Sequence, residues 1–182
     1  MPAGAPVRLD RVADFSGADR AAARALSAAV YPPAQFADAP GRKREWAAPE
    51  WAVRLYGDDG ALLSYVGIWL RGGAHDGAPV RIGGIGSVKT HPAARKRGLA
   101  ALGMARAADF FRAQGDVAFA LLVCDPRLLE YYGSLGWREF SGRLHVTQRG
   151  VPETFTFNRV MTLAVNSSAP ATGDIDLLGP PW

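Results

Sequence analysis

The stretch RIGGIGSVKTHPAARKRGLAALGMARAADFFRAQG, residues 81–115, decides the fold of this chain. Its first part, Ile82 to Val88, mixes β-branched residues with glycines and precedes His91-Pro92, so it predicts a strand that ends there. From Leu99 onward, apolar residues recur at three- and four-residue spacings, which is typical of a helix packed on one face. A strand therefore leads into a helix through a short basic turn, residues 95–98.

This turn has the features of an anion site. The first backbone N–H groups of a helix have no partner within the helix and lie at the positive end of its dipole. Gly98 has no Cβ, so the backbone can approach an anion closely. Four cationic side chains and no acid occur within nine residues: Lys89, Arg95, Lys96 and Arg97. A pyrophosphate fits such a turn, although basic glycine turns also occur as plain solvated loops.

Length and composition indicate one globular domain. The chain has 182 residues, of which 48% are hydrophobic and 21% charged, so it is long enough to bury a core. The formal net charge of +4 suits an anionic cofactor better than a nucleic-acid backbone, so no nucleic-acid partner is expected. A single cysteine, Cys124, excludes an internal disulfide, and the three histidines show no ligand spacing, so no metal is expected.

The sequence predicts neither a membrane partner nor export. No apolar run is long enough to span a bilayer. The first six residues do not combine a basic region with an apolar one, as a signal peptide would. We therefore expect a cytoplasmic protein.

Around the central stretch, the patterns predict a mixed sheet. Residues 51–56, 62–70 and 80–88 indicate three strands of an antiparallel meander, joined by glycine-containing turns. The apolar run 117–124 predicts a buried strand, parallel to the central one and reached by a right-handed crossover. The other predicted elements are a strand at 7–12, a helix at 21–30 capped by Ser16, a short helix at 127–135, a strand beginning at 137–140, a last strand at 155–165, loops at 34–50 and 141–154, and a tail at 166–182.

Two motifs in this order resemble the GNAT superfamily of acyl-CoA N-acyltransferases. The segment Arg95-Lys96-Arg97-Gly98-Leu99-Ala100 is similar to the family's phosphate turn, which has Gln or Arg, two further residues, Gly, one residue, then Gly or Ala. The segment from Tyr132 to Trp137 is similar to its later Tyr-x-x-x-Gly helix followed by an aromatic residue, about 35 residues on. The resemblance implies a GNAT-type α/β fold, with a mixed central sheet, an antiparallel N-terminal meander and a parallel strand-helix-strand core. It also implies one domain over residues 1–182, whose tail, residues 166–182, folds back near the acceptor site.

The resemblance further implies acetyl-CoA as cosubstrate and a small-molecule amine as acceptor. The main chain at Val88, Lys89 and Thr90 would bind the pantetheine arm of CoA. The turn would bind the pyrophosphate through Arg95, Lys96, Arg97, Gly98, Leu99 and Ala100. Tyr132 would stand near the thioester sulfur and protonate the leaving thiolate, the alternative being a tyrosine that only packs. A homodimer is left open.

A narrower resemblance, to the aminoglycoside 2'-N-acetyltransferase group, rests on Glu45-Trp46, the meander and the acidic tail with Trp182. In that group, acidic loop residues and a terminal tryptophan with its carboxylate contact the cationic sugar. The matching substrate-binding residues here are Asp38, Glu45, Glu153 and Trp182. Acids cluster within 38–59 and 153–176, away from the basic turn, which favours a cationic acceptor.

One departure from that group concerns the proton-accepting base. The group has a central-strand glutamate that acts through water, and the matching position here is Gly86. Direct transfer from acetyl-CoA to a primary amine in a ternary complex is the main prediction. The alternatives are an acyl-CoA-binding regulatory module without catalysis and a protein or peptide N-acetyltransferase. Cys124 lies in an apolar run, which favours a core residue over an acyl-cysteine nucleophile.

Overall fold

The computed structural model describes residues 6–36 and 38–182, within which ten strands form one mixed sheet. The strands are β1 (Val7–Arg11), β2 (Trp51–Tyr56), β3 (Leu62–His75), β4 (Ala78–Thr90), β5 (Val117–Cys124), β6 (Arg138–Glu139), β7 (Arg143–Gln148), β8 (Val151–Thr154), β9 (Arg159–Ala164) and β10 (Asp174–Asp176). The helices are α1 (Gly17–Val30), α2 (Pro33–Phe36), α3 (Leu99–Gln114) and α4 (Leu129–Ser134). Positions 1–5, which carry the expectation about a signal peptide, and position 37 lie outside the described residues.

The sheet confirms the predicted meander and the predicted strand-helix-strand core. Strands β2, β3 and β4 pair antiparallel in succession, and β4 pairs parallel with β5 after the α3 crossover. The central hairpin is longer than predicted, because β3 continues to His75 and turns within Asp76-Gly77. Both turn residues have positive φ, 49° and 78°, which matches the twist of a two-residue hairpin.

Strands β4 and β5 are paired over only part of their length. The pairing runs from Arg81, opposite Val117, to Ile85, opposite Leu122. Beyond this point β5 continues to pair with β9, and β4 continues to pair with β3. No pairing of residues 86–90 with β5 occurs within the described part of the chain, so the sheet has a gap there.

A β-bulge in β4 begins at the same point. Gly67 faces Gly86 and Tyr65 faces Lys89, so Ser87 and Val88 together oppose the single residue Val66. Ser87 has a φ of 50°, in the left-handed region that residues with a Cβ rarely adopt. Since a bulge bends its strand and increases the local twist, it accounts for the separation of β4 from β5.

Helix α3 covers one face of the sheet and lies beside the gap. Its buried side is the predicted apolar one, and Phe111 in its last turn is fully buried. A Cβ on Gly83 of β4 would lie 2.7 Å from Cδ1 of Phe111, so the glycine lets the ring pack directly on the strand. This close packing sets the position of the helix, and therefore of its first turn, relative to β4.

Helix α1 covers part of the other face and begins where the sequence predicted its cap. The Ser16 hydroxyl accepts a hydrogen bond from the Asp19 N–H at 3.1 Å, and the Asp19 carboxylate accepts from the Ser16 N–H at 3.0 Å. This is the reciprocal capping box. Asp19 also accepts a hydrogen bond from Arg54, which is buried in β2 and ties α1 to the sheet.

The structure corrects three sequence predictions. Residues 141–154 contain the hairpin β7–β8, because Leu144 and Val146 alternate into the core while Arg149-Gly150 makes a positive-φ turn. The last strand starts at Arg159, four residues later than predicted, because Phe155 and Phe157 pack against Trp46 outside the ladder. Residues 34–50 include part of the short helix α2 and a 3-10 turn at Pro40–Lys43.

Residues 166–182 pack along the face opposite α3. Strand β10 pairs antiparallel with the end of β3 and parallel with β7, so this segment inserts between two strands that precede it in sequence. The Leu177 N–H then donates to the His145 carbonyl, and the Thr147 N–H donates to the Gly179 carbonyl at 2.8 Å. These bonds bring Trp182 onto the sheet next to the gap.

Candidate active site

A cavity of about 530 Å³ lies where β4 leaves β5, on the face opposite α3. The bulge residues Gly86 and Ser87 border it on one side, and Val123 of β5 borders it on the other. Its walls are largely aromatic: Tyr31, Trp46, Trp69, Phe157 and Trp182. The cavity therefore opens directly onto the gap in the sheet.

The predicted phosphate turn lies at the start of α3, beyond the end of β4. Lys96 and Gly98 have φ values of 61° and 75°, and nothing lies within 4 Å of the position that a Cβ on Gly98 would take. The first helical hydrogen bond joins the Leu102 N–H to the Gly98 carbonyl, so the N–H groups of residues 99–101 come before it.

The cations of this turn remain available to an anion. The Arg95, Lys96 and Arg97 side chains are exposed, and none forms an ion pair within residues 6–36 and 38–182. Three unpaired cations therefore surround a helix N-terminus with free donors, which is the arrangement that phosphate groups bind.

The main chain predicted to hold the pantetheine arm forms the edge of the gap. Val88, Lys89 and Thr90 follow the bulge on β4. The Lys89 ammonium turns towards α1, where it donates to the Ser27 hydroxyl at 2.9 Å, and burial lowers its pKa. The Thr90 hydroxyl is 3.0 Å from that of Ser64. The side chains of Lys89 and Thr90 are thus held by the protein, and a ligand in the gap would meet the backbone of this edge.

Tyr132, the predicted acid, projects from α4 into the core on the α3 face. Only 6% of the residue is exposed, and it packs with Cys124 and Trp137. Burial, and then the neighbouring Cys124 thiol, raise the pKa of the Tyr132 phenol far above its ordinary value. The phenol is therefore protonated throughout the physiological range. Tyr131 beside it is 36% exposed, as expected for a residue on the outer side of the helix.

Cys124 is a buried residue at the end of β5. Burial and the nearby carboxylates raise the pKa of its thiol to about 11. A thiol is a poor nucleophile until it is deprotonated. The structure therefore places the single cysteine as a core residue, as the apolar run predicted.

Trp182 fills a hollow in the sheet that two glycines leave open. A Cβ on Gly84 would lie 2.5 Å from Cε2 of the Trp182 ring, and a Cβ on Gly86 would lie 3.0 Å from its main-chain carbon. The ring stacks on Trp69 with centroids 5.8 Å apart, and its Nε1–H donates to the Leu121 carbonyl at 3.1 Å. A side chain at position 86 would therefore be crowded by the Trp182 main chain and by the Trp69 ring, 3.2 Å from the Cβ position.

Two further bonds hold the segment before Trp182 in place. The Arg71 guanidinium donates to the Pro180 carbonyl at 2.6 Å and lies 5.0 Å from the Trp182 ring centroid. The Ala47 N–H donates to the Pro181 carbonyl at 2.7 Å. The second bond joins the two walls of the cavity, residues 39–47 and the C-terminal segment.

The other three predicted substrate residues lie near the cavity without lining it. Asp38 is exposed just before the lining residue Ala39. The Glu45 carboxylate accepts a hydrogen bond from the Arg149 N–H at 2.6 Å, and Glu153 forms an ion pair with Arg44 at 2.6 Å. Both bonds fasten the wall at 39–47 to the hairpin β7–β8.

Several lining residues were not identified from the sequence. Trp69 lies in the middle of β3, Arg42 in the 3-10 turn, and Asn158 just before β9. The available signal was the run of glycines at 83, 84 and 86 within one strand, since glycines in a buried strand mark close approach of a bulky group.

The described residues offer neither a metal site nor a membrane span. Within 6–36 and 38–182, no three His, Cys, Asp or Glu side chains come together as metal ligands would. Each helix in the same ranges is too short or too polar to cross a bilayer.

A sequence model described as the Acetyltransferase (GNAT) family matches residues 20–137 of the chain. The match covers more than half of the sequence and includes both the phosphate turn and the Tyr132 helix. No curated protein matches the chain.

Solved structures share the fold at low sequence identity. The GNAT family N-acetyltransferase YhbS from Escherichia coli, crystallised in complex with CoA, has a TM-score of 0.63 and 16% identity over 96% of this chain and 89% of that one. An acyl-CoA N-acyltransferase from Pseudomonas aeruginosa has a TM-score of 0.62 and 20% identity over 88% and 100% of the two chains. A GNAT family acetyltransferase from Brucella melitensis, in complex with acetyl-CoA, has a TM-score of 0.53 and 16% identity over 94% and 96%.

Proposed function

The chain belongs to the GNAT acetyltransferase family, and from the geometry of its gap and cavity we propose that it transfers acetyl from acetyl-CoA directly to a primary amine. The observation that carries this proposal is the alignment of three features along one path: the basic turn before α3, the gap between β4 and β5, and the aromatic cavity. The path has a place for the pyrophosphate, the pantetheine arm and the acceptor in that order.

Binding of CoA uses backbone groups more than side chains. The N–H groups of residues 99–101 and the cations at 95–97 would hold the pyrophosphate. Beyond the bulge, Val88 and Thr90 have no β5 neighbour within the described residues, so their main chain can pair with the amide groups of pantetheine. Two of the solved relatives of this fold were crystallised with CoA or acetyl-CoA, which supports this assignment.

The reaction begins with attack of the amine nitrogen on the thioester carbonyl carbon. A C–N bond forms, and negative charge develops on the carbonyl oxygen, where the backbone N–H near Val88 would stabilise it. The C–S bond then breaks. The Tyr132 phenol gives its proton to the leaving sulfur, the amine nitrogen gives its proton to water, and solvent returns a proton to the phenolate.

The burial of Tyr132 is compatible with this role. Its raised pKa keeps the phenol protonated until the thiolate forms. A thiolate in the same surroundings would be destabilised by desolvation too, which raises the pKa of the CoA thiol and offsets the weaker acidity of the buried phenol. Since Gly86 supplies no central-strand carboxylate, the amine proton passes to water in the cavity.

Direct transfer is favoured over a covalent acetyl-enzyme. The nucleophile for such an intermediate would be Cys124, which is buried and has a pKa raised to about 11. It is also the chain's single cysteine. A ternary complex needs no protein nucleophile.

An aminoglycoside is the weaker candidate acceptor. That assignment depends on Asp38, Glu45 and Glu153, of which the last two are engaged with Arg149 and Arg44. Of the four residues suggested for a cationic sugar, Trp182 is the one that lines the cavity. We therefore propose that the acceptor is a small amine other than a polycationic sugar.

The test is a pair of tyrosine variants assayed for release of free CoA thiol with a panel of amines. Tyr132→Phe is expected to lower kcat about a hundredfold or more, because the thiolate leaves without a proton donor. Its Kd for CoA is expected to stay unchanged, since the phenol is far from the phosphate groups. Tyr131→Phe, on the exposed side of the same helix, is the matched control and is expected to behave as wild type.

Two results would change the proposal. Equal kcat for Tyr132→Phe and wild type would remove Tyr132 as the acid and leave it as a packing residue. CoA binding with no thiol release for any amine would favour a regulatory acyl-CoA-binding module. The absence of a side chain at Gly86, where the aminoglycoside group has a base, is compatible with such a module.

A further inference from the structure

We propose that the acceptor is a monoamine with a flat apolar body and an anionic group at the end away from the amine, and that Arg42 binds this anionic group. The inference rests on the proposed acetyl transfer and concerns the chemistry of the same cavity. It differs from the cationic acceptor that the acidic clusters of the sequence favoured.

The flat body follows from the aromatic walls. Trp69 and Trp182 are stacked at an interplanar angle of 19°, and each residue is at least 96% buried. On the other side, Trp46 lies edge-on to Phe157 with centroids 6.2 Å apart, and its Nε1–H donates to the Gly41 carbonyl at 2.7 Å. The rings are therefore fixed before a ligand binds, so the cavity presents a preformed slot for a planar apolar group.

The charged side chains of the slot are cations. They are Arg42 and Lys89, and no Asp or Glu is among the described lining residues. The positions outside the description, 1–5 and 37, are Met, Pro, Ala, Gly, Ala and Ala, so they add no acidic side chain.

The two lining cations differ in availability. The Lys89 ammonium donates to Ser27 and lies 5.4 Å from the Tyr65 ring centroid, on the α1 side. Arg42 is exposed on the 3-10 turn and forms no ion pair within the described ranges. Its guanidinium is therefore the free group that a carboxylate, sulfonate or phosphate on the acceptor would meet.

The reactive amine belongs next to the bulge, on the wall that β4 forms, whereas Arg42 belongs to the separate wall at 39–47. Gly86 and Ser87 mark the opening towards the gap, where the thioester carbon would lie. A single ammonium there meets the faces of the tryptophan rings, with the main chain of Trp182 beside Gly86. A second cationic group would lie in the slot with Arg42 and no carboxylate side chain to pair with it.

The test uses three amines built on the same benzylamine ring that differ in the substituent opposite the aminomethyl group. They are 4-(aminomethyl)benzoate, benzylamine and 4-(aminomethyl)benzylamine, which carry a carboxylate, a hydrogen and a second ammonium opposite the reactive amine. With acetyl-CoA, kcat/KM is expected to fall in that order, with about a fivefold step or more between neighbours. Arg42→Ala is expected to abolish the preference for the carboxylate while leaving benzylamine unchanged, and Arg42→Glu to reverse the order.

Lys43→Ala is the matched control, because Lys43 is the next residue of the same turn and does not line the cavity. It is expected to keep the wild-type order. A wild-type preference for the dicationic amine, or an equal loss of all three activities in Arg42→Ala, would overturn the proposal.

A binding measurement separates this proposal from the proposed reaction. Equilibrium dialysis of the three amines against the protein saturated with CoA reports affinity without turnover. One outcome is that no thiol is released, the carboxylate amine binds tightest and Arg42→Ala removes that preference. The proposed acetyl transfer would then be wrong, and the proposed acceptor class would be supported. If thiol is released and the dicationic amine binds tightest, the transfer stands and the acceptor class fails.

Discussion

Gly84 must lack a side chain because of Trp182, a residue almost a hundred positions later in the sequence. The Trp182 ring occupies the position where a Cβ would be, with Cε2 at 2.5 Å. An added methyl group must therefore push the ring off Trp69 or distort β4. The hollow and the ring form one packing unit on the cavity side of the sheet.

Gly84→Ala is accordingly expected to lower the free energy of unfolding by about 1–3 kcal/mol, the usual cost of overpacking a core. Urea unfolding followed by tryptophan fluorescence measures this change. Gly72→Ala is the control, because Gly72 lies in β3 with nothing within 4 Å of the position that a Cβ would take, and it is expected to be neutral. Equal stability of the two variants would show that the Trp182 ring does not rest in the hollow.

At the scale of elements, α1 is fastened at its first turn by a carboxylate that titrates. Hydrogen bonds from the Ser16 hydroxyl and then from Arg54 lower the pKa of Asp19 from its ordinary 3.8 to about 2. The folded state thus favours the ionised form. This stabilisation is complete above about pH 4, where the unfolded chain is ionised as well, and it is lost as the pH falls through 2.

At pH 6, the free energy of unfolding of wild type is expected to exceed that of Asp19→Asn. The difference between the two is expected to shrink steadily between pH 4 and pH 2. Urea titrations at several pH values measure it. Asp58→Asn, in the exposed turn between β2 and β3, serves as the control and is expected to match wild type throughout. A difference that stays constant with pH would mean that the Asp19 carboxylate is not the group involved.

The elements that the sequence predicted are those whose contacts are local. The cap at Ser16, the helix from Leu99 and the strand 117–124 each follow from residue spacing within a dozen positions, and each was found. The hairpin β7–β8 was missed because its stability depends on β10, about 30 residues later. Its polar and exposed second strand, with Pro152, has little pattern of its own.

The residues of the candidate site also divide into those with local contacts and those with long-range contacts. The phosphate turn lies within one strand-helix junction, so its residues could be named from the sequence alone. The acceptor cavity combines residues from β3, β4, β5, the segment 39–47 and the C-terminal segment. No spacing rule connects Trp69 to Trp182, or shows that Glu45 would be bound to Arg149. Their roles depend on contacts that only the folded sheet creates.

At the scale of the whole molecule, the sheet separates two tasks. Helices α3 and α4, with the turn and Tyr132, lie on one face, and Trp182 with the cavity lies on the other. The cavity borders the gap between β4 and β5, and the turn lies beyond the end of β4. Substitutions on the cavity face should therefore alter the KM of the acceptor and leave the Kd of CoA unchanged.

Trp182→Phe tests this separation. The smaller ring loses the bond to Leu121 and part of the stack on Trp69, so the KM of the acceptor is expected to rise roughly three- to tenfold. The Kd of CoA, measured by calorimetry, is expected to be unchanged. Trp51→Phe is the control, since Trp51 packs on Phe110 on the α3 face, and its acceptor KM should equal that of wild type. A parallel loss of CoA affinity in Trp182→Phe would show that the faces are coupled.

The hollow at Gly84 and Gly86 also constrains how this protein can evolve. While Trp182 is in place, a mutation that gives residue 86 a side chain places its Cβ 3.0 Å from the Trp182 main chain, so a carboxylate there requires that segment to shift. Loss of the tryptophan first would leave the hollow empty and the cavity without a wall. The two positions therefore constrain each other, and a lineage that acquires a central-strand base is expected to change the C-terminal segment together with residue 86.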